Sequence, residues 1–334
     1  MAYVPRSGAA RRFRPVNANG TVRNRVATVR AAHDRWGSLI ERAFRIQALL
    51  MYAFLYLPIV IVVVFSFNES RFVTDWQGFS LRWYDEAWLK DRLVQRALWN
   101  SLTIGATNAV LATLFGTMAA LGMQRLGRRP RLLFEGLTYV SIIVPEIVIA
   151  LATLIFYRTS FDTVNPLLVG LLGEAAAPRL GLGNHTIIAA HMLFNISLVV
   201  LLVRARLSGL DRTLVDASSD LFATPWRTFR QITLPTLLPA IVAGFVLSFT
   251  FSFDDYVISA FVSGVGSTTL PLFVFGEVRR GVTPRINAVA VVMLVLTLTI
   301  LFLTQWLLAR RSPGRGALQL APVVEAGGAP SRNG

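Results

Sequence analysis

With 334 residues, 54% of them apolar and only 15% charged, and a mean hydropathy of +0.56, the chain is no ordinary soluble domain and reads as an integral membrane protein with room for one membrane domain plus tails. It has no cysteine, which excludes disulfides, thiol catalysis and Cys-ligated metal. The net charge of +15 is not a nucleic-acid footprint, because 23 of the 33 basic residues fall in four segments (1–45, 124–131, the loop from Arg204, and the C-terminal tail) and only 10 in the three segments between them. This alternation is what six crossings with both termini in the cytoplasm require.

In chain order, residues 1–45 form an Arg-rich cytoplasmic tail. It is aperiodic to about Asn19, after which Val22, Val26, Val29, Trp36, Leu39 and Ile40 recur at helical spacing, as in an interfacial helix on anionic membrane lipid. A mitochondrial transit peptide has a similar composition. Residues 46–309 form the membrane domain and residues 310–334 a disordered cytoplasmic tail. The expected spans are 46–67, with a kink at Pro58, then 99–123, 132–157, 185–203, 235–259 and 286–308. An external segment, 68–98, balances acids and bases and carries Trp76, Trp83, Tyr84 and Trp88, which suit a membrane interface. Ala112, Gly116 and Ala120 repeat at fourfold spacing, a face for close helix approach in lipid, and Ala240, Gly244 and Ser248 make a second.

Two places put carboxylates in apolar runs. Glu146 follows Pro145 in the expected third span, where a charge is costly unless it faces protein or water; it is either a structural acid or part of a pathway. Asp254 and Asp255 are expected late in the fifth span, where the helix macrodipole opposes them and capping does not account for them. They read either as a negative spot near the outer leaflet or as partners of Arg279 or Arg280.

Between the fourth and fifth spans lies a polar, Arg-rich stretch from Arg204 to Ala240. Gly209 stops the preceding helix and Asp211 is a fair N-cap for a short helix reaching about Phe222. Thr224 followed by Pro225 reads as an N-cap with proline at the first helical position, opening a second short helix over 226–233. The long helix is expected to begin near Pro235.

Asp216-Ala217-Ser218, then Phe222, then Ile232-Thr233-Leu234-Pro235 resembles the EAA loop of permease subunits of bacterial ATP-binding-cassette importers. That pattern is Glu-Ala-Ala, three residues, Gly, nine residues, Ile-x-Leu-Pro. The spacing is kept, with Asp216 for Glu, Ser218 for the second Ala and Phe222 for Gly, a position where φ is often positive and Phe is ill suited. A reshaped turn is therefore expected there. The segments 66–72, 76–79 and 83–84, the SFDDYVISAFVSG stretch that includes Tyr256, and the TLPL at 269–272 are similar to spermidine/putrescine permeases over about 57–309.

The resemblance implies an all-α membrane protein with six transmembrane helices and a cytoplasmic helix–turn–helix coupling loop, in the cell (inner) membrane. It implies a heteromeric importer containing a second permease, two cytoplasmic ATPase subunits and a periplasmic or lipid-anchored solute-binding protein. On that reading, Asp216, Ala217, Ser218, Phe222, Thr224, Pro225, Ile232, Leu234 and Pro235 form the ATPase-coupling loop, and Glu146, Asp254, Asp255 and Tyr256 line the substrate pathway. The chain itself is no enzyme and binds no cofactor. The sole lysine, Lys90, is in no phosphate-loop motif, so ATP and Mg belong to the ATPase subunits. Readings left open are a permease for iron, sulfate or an amino-acid-derived solute, and an ion-coupled secondary transporter using the same carboxylates. His185 and His191 with scattered serines compose neither a metal cluster nor a nucleophile–base pair.

Overall fold

The computed structural model describes residues 18–73, 75–174 and 176–311; the first 17 residues and 312–334, both expected as tails, lie outside the described residues. The chain divides into two compact units between Val62 and Val63. Helix α1 (Ala18–Phe65), of which all but the last three residues lie in the first unit, runs without a break from the Arg-rich segment through the first candidate span, Ile40–Phe65, with Pro58 inside it.

In the second unit, α2 (Arg82–Tyr84) continues into a π turn (Asp85–Lys90) and α3 (Arg92–Met123) follows. Asp91 caps α3, accepting from the N–H groups of Leu93 (2.7 Å) and Val94 (3.4 Å), so this helix starts seven residues before the expected 99. After it come α4 (Arg128–Ile143), α5 (Glu146–Leu172), α6 (Asn184–Ser208), α7 (Arg212–Asp220), α8 (Pro225–Thr228), α9 (Leu234–Asp254), α10 (Val257–Val262), α11 (Leu270–Val278) and α12 (Pro284–Arg311). Among the described residues, six helical segments are long and apolar enough to cross a membrane.

The third and fifth spans differ from expectation. The apolar run 132–157 is two helices, because Pro145 disfavours helical backbone in the preceding residue, and Val144 is extended at φ −63°, ψ 129°. Glu146 therefore opens α5 rather than lying deep in a helix, and the span runs from 146 to 172. The fifth helix ends at Asp254 and not near 259, and Asp255 turns extended at φ −67°, ψ 129°. The N-terminal side of that span also differs: α8 passes through a π turn (Phe229–Thr233) straight into α9. The wide turn, in which Leu234 N–H reaches Phe229 O, comes just where Pro235 supplies no donor of its own.

The core is the mutual packing of α3, α6 and α9. Lipid is as apolar as leucine, so these helices associate by close approach and polar contacts rather than by a hydrophobic drive. Val199 of α6 is fully buried between two glycines: a Cβ on Gly116 of α3 would sit 2.7 Å from it, and one on Gly244 of α9 3.2 Å. The stripe of Ala112, Gly116 and Ala120 is thus the buried face of α3. Asn108 and Asn195 each donate to Ser248 O, at 3.3 and 3.4 Å, and tie all three helices together.

Buried Asn68 organises the segment between α1 and α2. Its Nδ2 donates to Phe72 O (3.1 Å) and Asp75 O (2.7 Å), while its Oδ1 accepts from the N–H groups of Ser70 (3.3 Å) and Gln77 (3.1 Å). Its own carbonyl accepts Trp83 Nε1–H at 2.6 Å. One asparagine thereby holds the loop that carries Trp76, Phe79 and Trp83.

Candidate functional site

Both helix breaks open onto one cavity of about 200 Å³, lined by Ile142 and Val144 of the α4–α5 break, Glu146 and Ile149 of α5, His191, Phe194 and Asn195 of α6, and Phe251, Asp255 and Ile258 around the α9–α10 break. Where α9 stops, Asp255 caps the next helix: its Oδ2 accepts from Ser259 N–H (2.8 Å) and its Oδ1 from Ile258 N–H (3.3 Å). The expectation that capping does not explain this residue is thus corrected. The relevant helix is α10, whose N-terminus favours a carboxylate, and not α9, whose C-terminus opposes one.

Behind Asp255 stands His191, with Nε2 3.0 Å from Asp255 Oδ2 and Nδ1 2.7 Å from Ser252 Oγ, all three residues buried. A carboxylate only accepts, so Nε2 carries the proton; in the neutral ring Nδ1 then accepts from the Ser252 hydroxyl. In front of Asp255, Glu146 lines the same cavity and is exposed on the surface of the chain. An exposed acid beside a membrane-spanning run marks a face turned to water or to another protein, not to lipid.

Of the four expected pathway residues, the fold brings two together. Asp254 is exposed, and Tyr256 stacks on Phe275 with ring centroids 4.1 Å apart. Neither arginine offered as an alternative partner reaches the aspartates: Arg280 pairs with Glu277 at 2.8 Å and Arg279 lies over Phe275. His191, which the sequence reading set aside, is the partner instead. No spacing rule joins residues 64 apart, and the signal was only that a histidine sat in an apolar run.

The polar loop forms the expected helix–turn–helix. Asp211 caps α7, and hydrogen bonds from the Thr213 hydroxyl and N–H hold its carboxyl below the usual carboxylate range. Thr224 Oγ1 accepts from Arg227 N–H with Pro225 at the first helical position. In the turn between them Phe222 itself supplies the left-handed residue. Ala223 N–H reaches Ser218 O (3.0 Å) and Phe222 N–H reaches Ser219 O (2.9 Å), a Schellman closure that needs a left-handed residue, and Phe222 adopts it at φ 56°. Ser218 is buried, bonded to Thr228 Oγ1 at 2.9 Å, while Asp216, Ala217, Phe222 and Trp226 are exposed. Ile232 and Leu234 are half-buried at the root of α9 and Pro235 is exposed.

Residues 112–314 match the family model of the binding-protein-dependent transport system inner membrane component. Among similar proteins, the putrescine transport system permease protein PotI of Escherichia coli (strain K12) is 39% identical over 279 residues, 83% of this chain and 95% of the relative. The spermidine/putrescine transport system permease protein PotC of Haemophilus influenzae is 38% identical over 255 residues, 76% of this chain and 92% of the relative. A chain of a bacterial ABC transporter that imports the acidic polysaccharide alginate superposes with a TM-score of 0.69 at 14% identity, over 85% of this chain and all of the other, which speaks to fold alone. With six candidate spans, an intact helix–turn–helix loop and relatives matched over nearly their whole length, the chain belongs to the inner-membrane permease components of binding-protein-dependent transport systems.

Proposed function

We propose that this permease forms half of the translocation pathway for a polyamine such as putrescine or spermidine in an ATP-driven importer. The observation that carries the substrate is the Glu146–Asp255 carboxyl pair lining a cavity on an exposed face; the putrescine and spermidine transport named for its relatives agrees with it. A carboxylate about 4 Å from a cationic amine attracts it by roughly 4 kcal/mol at an effective dielectric near 20, before desolvation is subtracted. Asp254 and Tyr256 flank the same break and serve entry rather than the cavity itself.

The helix–turn–helix loop docks a cytoplasmic ATPase, with exposed Asp216, Ala217, Phe222 and Trp226 as its contact surface and Ser218, Thr224, Pro225, Ile232, Leu234 and Pro235 as its frame. A second permease covers the exposed pathway face, and two ATPases hold ATP and Mg. An external solute-binding protein delivers the cargo, and both termini lie in the cytoplasm. Reconstitution of the assembled importer in proteoliposomes tests this reading: labelled putrescine uptake should require internal ATP and external binding protein. Uptake driven by an ion gradient without ATP would overturn it. Asp216→Lys and Ala217→Trp, at exposed positions that spare the fold, should leave the protein inserted and disconnect ATP hydrolysis from uptake.

A further inference from the structure

The break between α9 and α10 has no local cause. Residues 252–259 contain neither proline nor glycine, yet Asp255 turns extended at ψ 129° and Tyr256 returns to helical backbone at φ −108°, ψ −42°. A break deprives the carbonyls that end one helix and the N–H groups that open the next of their usual partners, a costly state beside lipid. It therefore needs support from elsewhere in the fold. Asp255 gives part of it by accepting from Ile258 and Ser259 N–H. An aspartate side chain, however, has several staggered rotamers open to it until another group selects one.

His191 is that group. From α6 its buried ring reaches three successive parts of the break. Nδ1 lies 2.7 Å from Ser252 Oγ in the last turn of α9, and Nε2 lies 3.0 Å from Asp255 Oδ2 at the break itself and 3.4 Å from Ser259 Oγ in the first turn of α10. The ring stands on a rigid base, because Ile187 and Ala190 of the same helix belong to one buried apolar cluster with Ile258 and Val262 of α10. Asp255 Oδ2 thus receives both the imidazole N–H and the Ser259 N–H, which ties the rotamer of the carboxylate to α6 as well as to α10. No arginine or lysine lines the cavity among the described residues, so anchoring this carboxylate falls to a histidine.

We propose that His191 is a positioning residue for transport: through Asp255 it fixes the α9–α10 break and holds the carboxylate at the wall of the cavity where a cationic cargo passes. The proposal rests on the polyamine reading above and assigns to it a residue that acts through another. Both ring nitrogens are engaged within the chain, one by Ser252 and one by Asp255, so His191 acts on Asp255 and not on the cargo. Loss of the ring's N–H would leave the carboxylate with backbone partners alone, and the break with no tie to α6 through this residue. Phenylalanine at 191 keeps the shape of a ring and removes both polar contacts, whereas glutamine keeps one group that donates and one that accepts.

The test is ATP-driven uptake of labelled putrescine by the assembled importer in proteoliposomes, with putrescine-loaded binding protein outside and rates scaled to the amount of assembled transporter. His191→Phe should lower uptake at least about tenfold, the size of one hydrogen bond to a charged group. His191→Gln should bring it back to within about threefold of wild type, since a neutral donor and acceptor recover most of that bond. Asp255→Asn should lower uptake at least as much as His191→Phe, and the double variant should lose nothing further, because a residue that acts through Asp255 then has nothing to act on. Wild-type uptake in His191→Phe overturns the proposal, as do no recovery with glutamine and losses that multiply in the double variant, the pattern of a ring that only fills space. If His191→Phe fails to assemble, Ser252→Ala decides the matter by removing only the Nδ1 partner: uptake falls about fivefold if the ring orients Asp255 and stays at the wild-type level if it does not. Full uptake in Asp255→Asn also overturns the proposal while wild-type polyamine transport stands. Absence of polyamine uptake in the wild type defeats the polyamine reading, and the proposal with it.

Discussion

At Phe222 the backbone takes φ 56°, the left-handed region that costs an L side chain roughly 1–2 kcal/mol and glycine almost nothing. It is the one non-glycine residue with positive φ among the described residues, and its ring is 95% exposed, so no packing offsets the strain within the chain. Phe222→Gly should therefore stabilise the turn by about 1 kcal/mol. Hydrogen exchange would show this as slower exchange of the Ala223 amide, which bonds Ser218 O. Faster exchange would mean that the turn depends on the ring. The capping residues of this loop, Asp211 and Thr224-Pro225, were readable in advance because a cap is local chemistry between residues two or three apart. The conformation of Phe222 was not, since the family pattern has glycine there and only the closure from Ser218 to Ala223 forces the sign of φ. His191 was unreadable for the opposite reason: its partner lies in another helix, and pairing across helices leaves no trace in spacing.

Helices meet in this fold where side chains are smallest. Val199 fits between Gly116 and Gly244, and a substituent on Gly116 must displace either the buried valine or Ile196 O, 3.0 Å from a Cβ there. Gly116→Leu should destabilise the permease by at least about 1–3 kcal/mol, the usual cost of overpacking, read as a lower unfolding temperature in detergent. Gly122→Ala is the matched control in the same helix: a Cβ there meets nothing within 4 Å, and helix propensity favours alanine by about 0.5–1 kcal/mol. If both variants unfold at the wild-type temperature, close approach at Gly116 contributes nothing. The small-residue stripes were legible because their fourfold period is that of a helix face. The helix breaks were half legible. Pro145 signals one by forbidding helix at Val144, yet the apolar run on both sides disguises it as one span. The other break has neither proline nor glycine, and its only sign was an aspartate followed after three residues by a serine, whose N–H it caps.

The arrangement of the second unit sorts the charges by end. Ala120 of α3, Val203 and Leu207 of α6 and Leu237 of α9 pack together near the Arg-rich segments, and Arg204 pairs with Glu135 of α4 there. At the opposite end Ala97 of α3, Phe253 of α9 and Leu270 of α11 pack together, and Asp91 pairs with Arg285 of α12. Residues 124–131 and the helix–turn–helix loop therefore share one end of the bundle, while the loop held by Asn68, through the Ser66–Tyr84 bond, belongs with the chain leading into α3 at the other. Basic residues in short loops set orientation in a bilayer, and from the 23 to 10 division we predict that the first end faces the cytoplasm. Single cysteines test it, since the chain has none of its own. Ser218 is unsuitable as a reporter because it is buried against Thr228, whereas Arg128, Ser219 and Gln77 are exposed. In intact cells Gln77→Cys should react with a membrane-impermeant maleimide, and Arg128→Cys and Ser219→Cys should react only after the cytoplasmic face is opened. Labelling of Ser219→Cys from outside would invert the topology, place the loop away from any ATPase, and remove the basis for reading it as a coupling element.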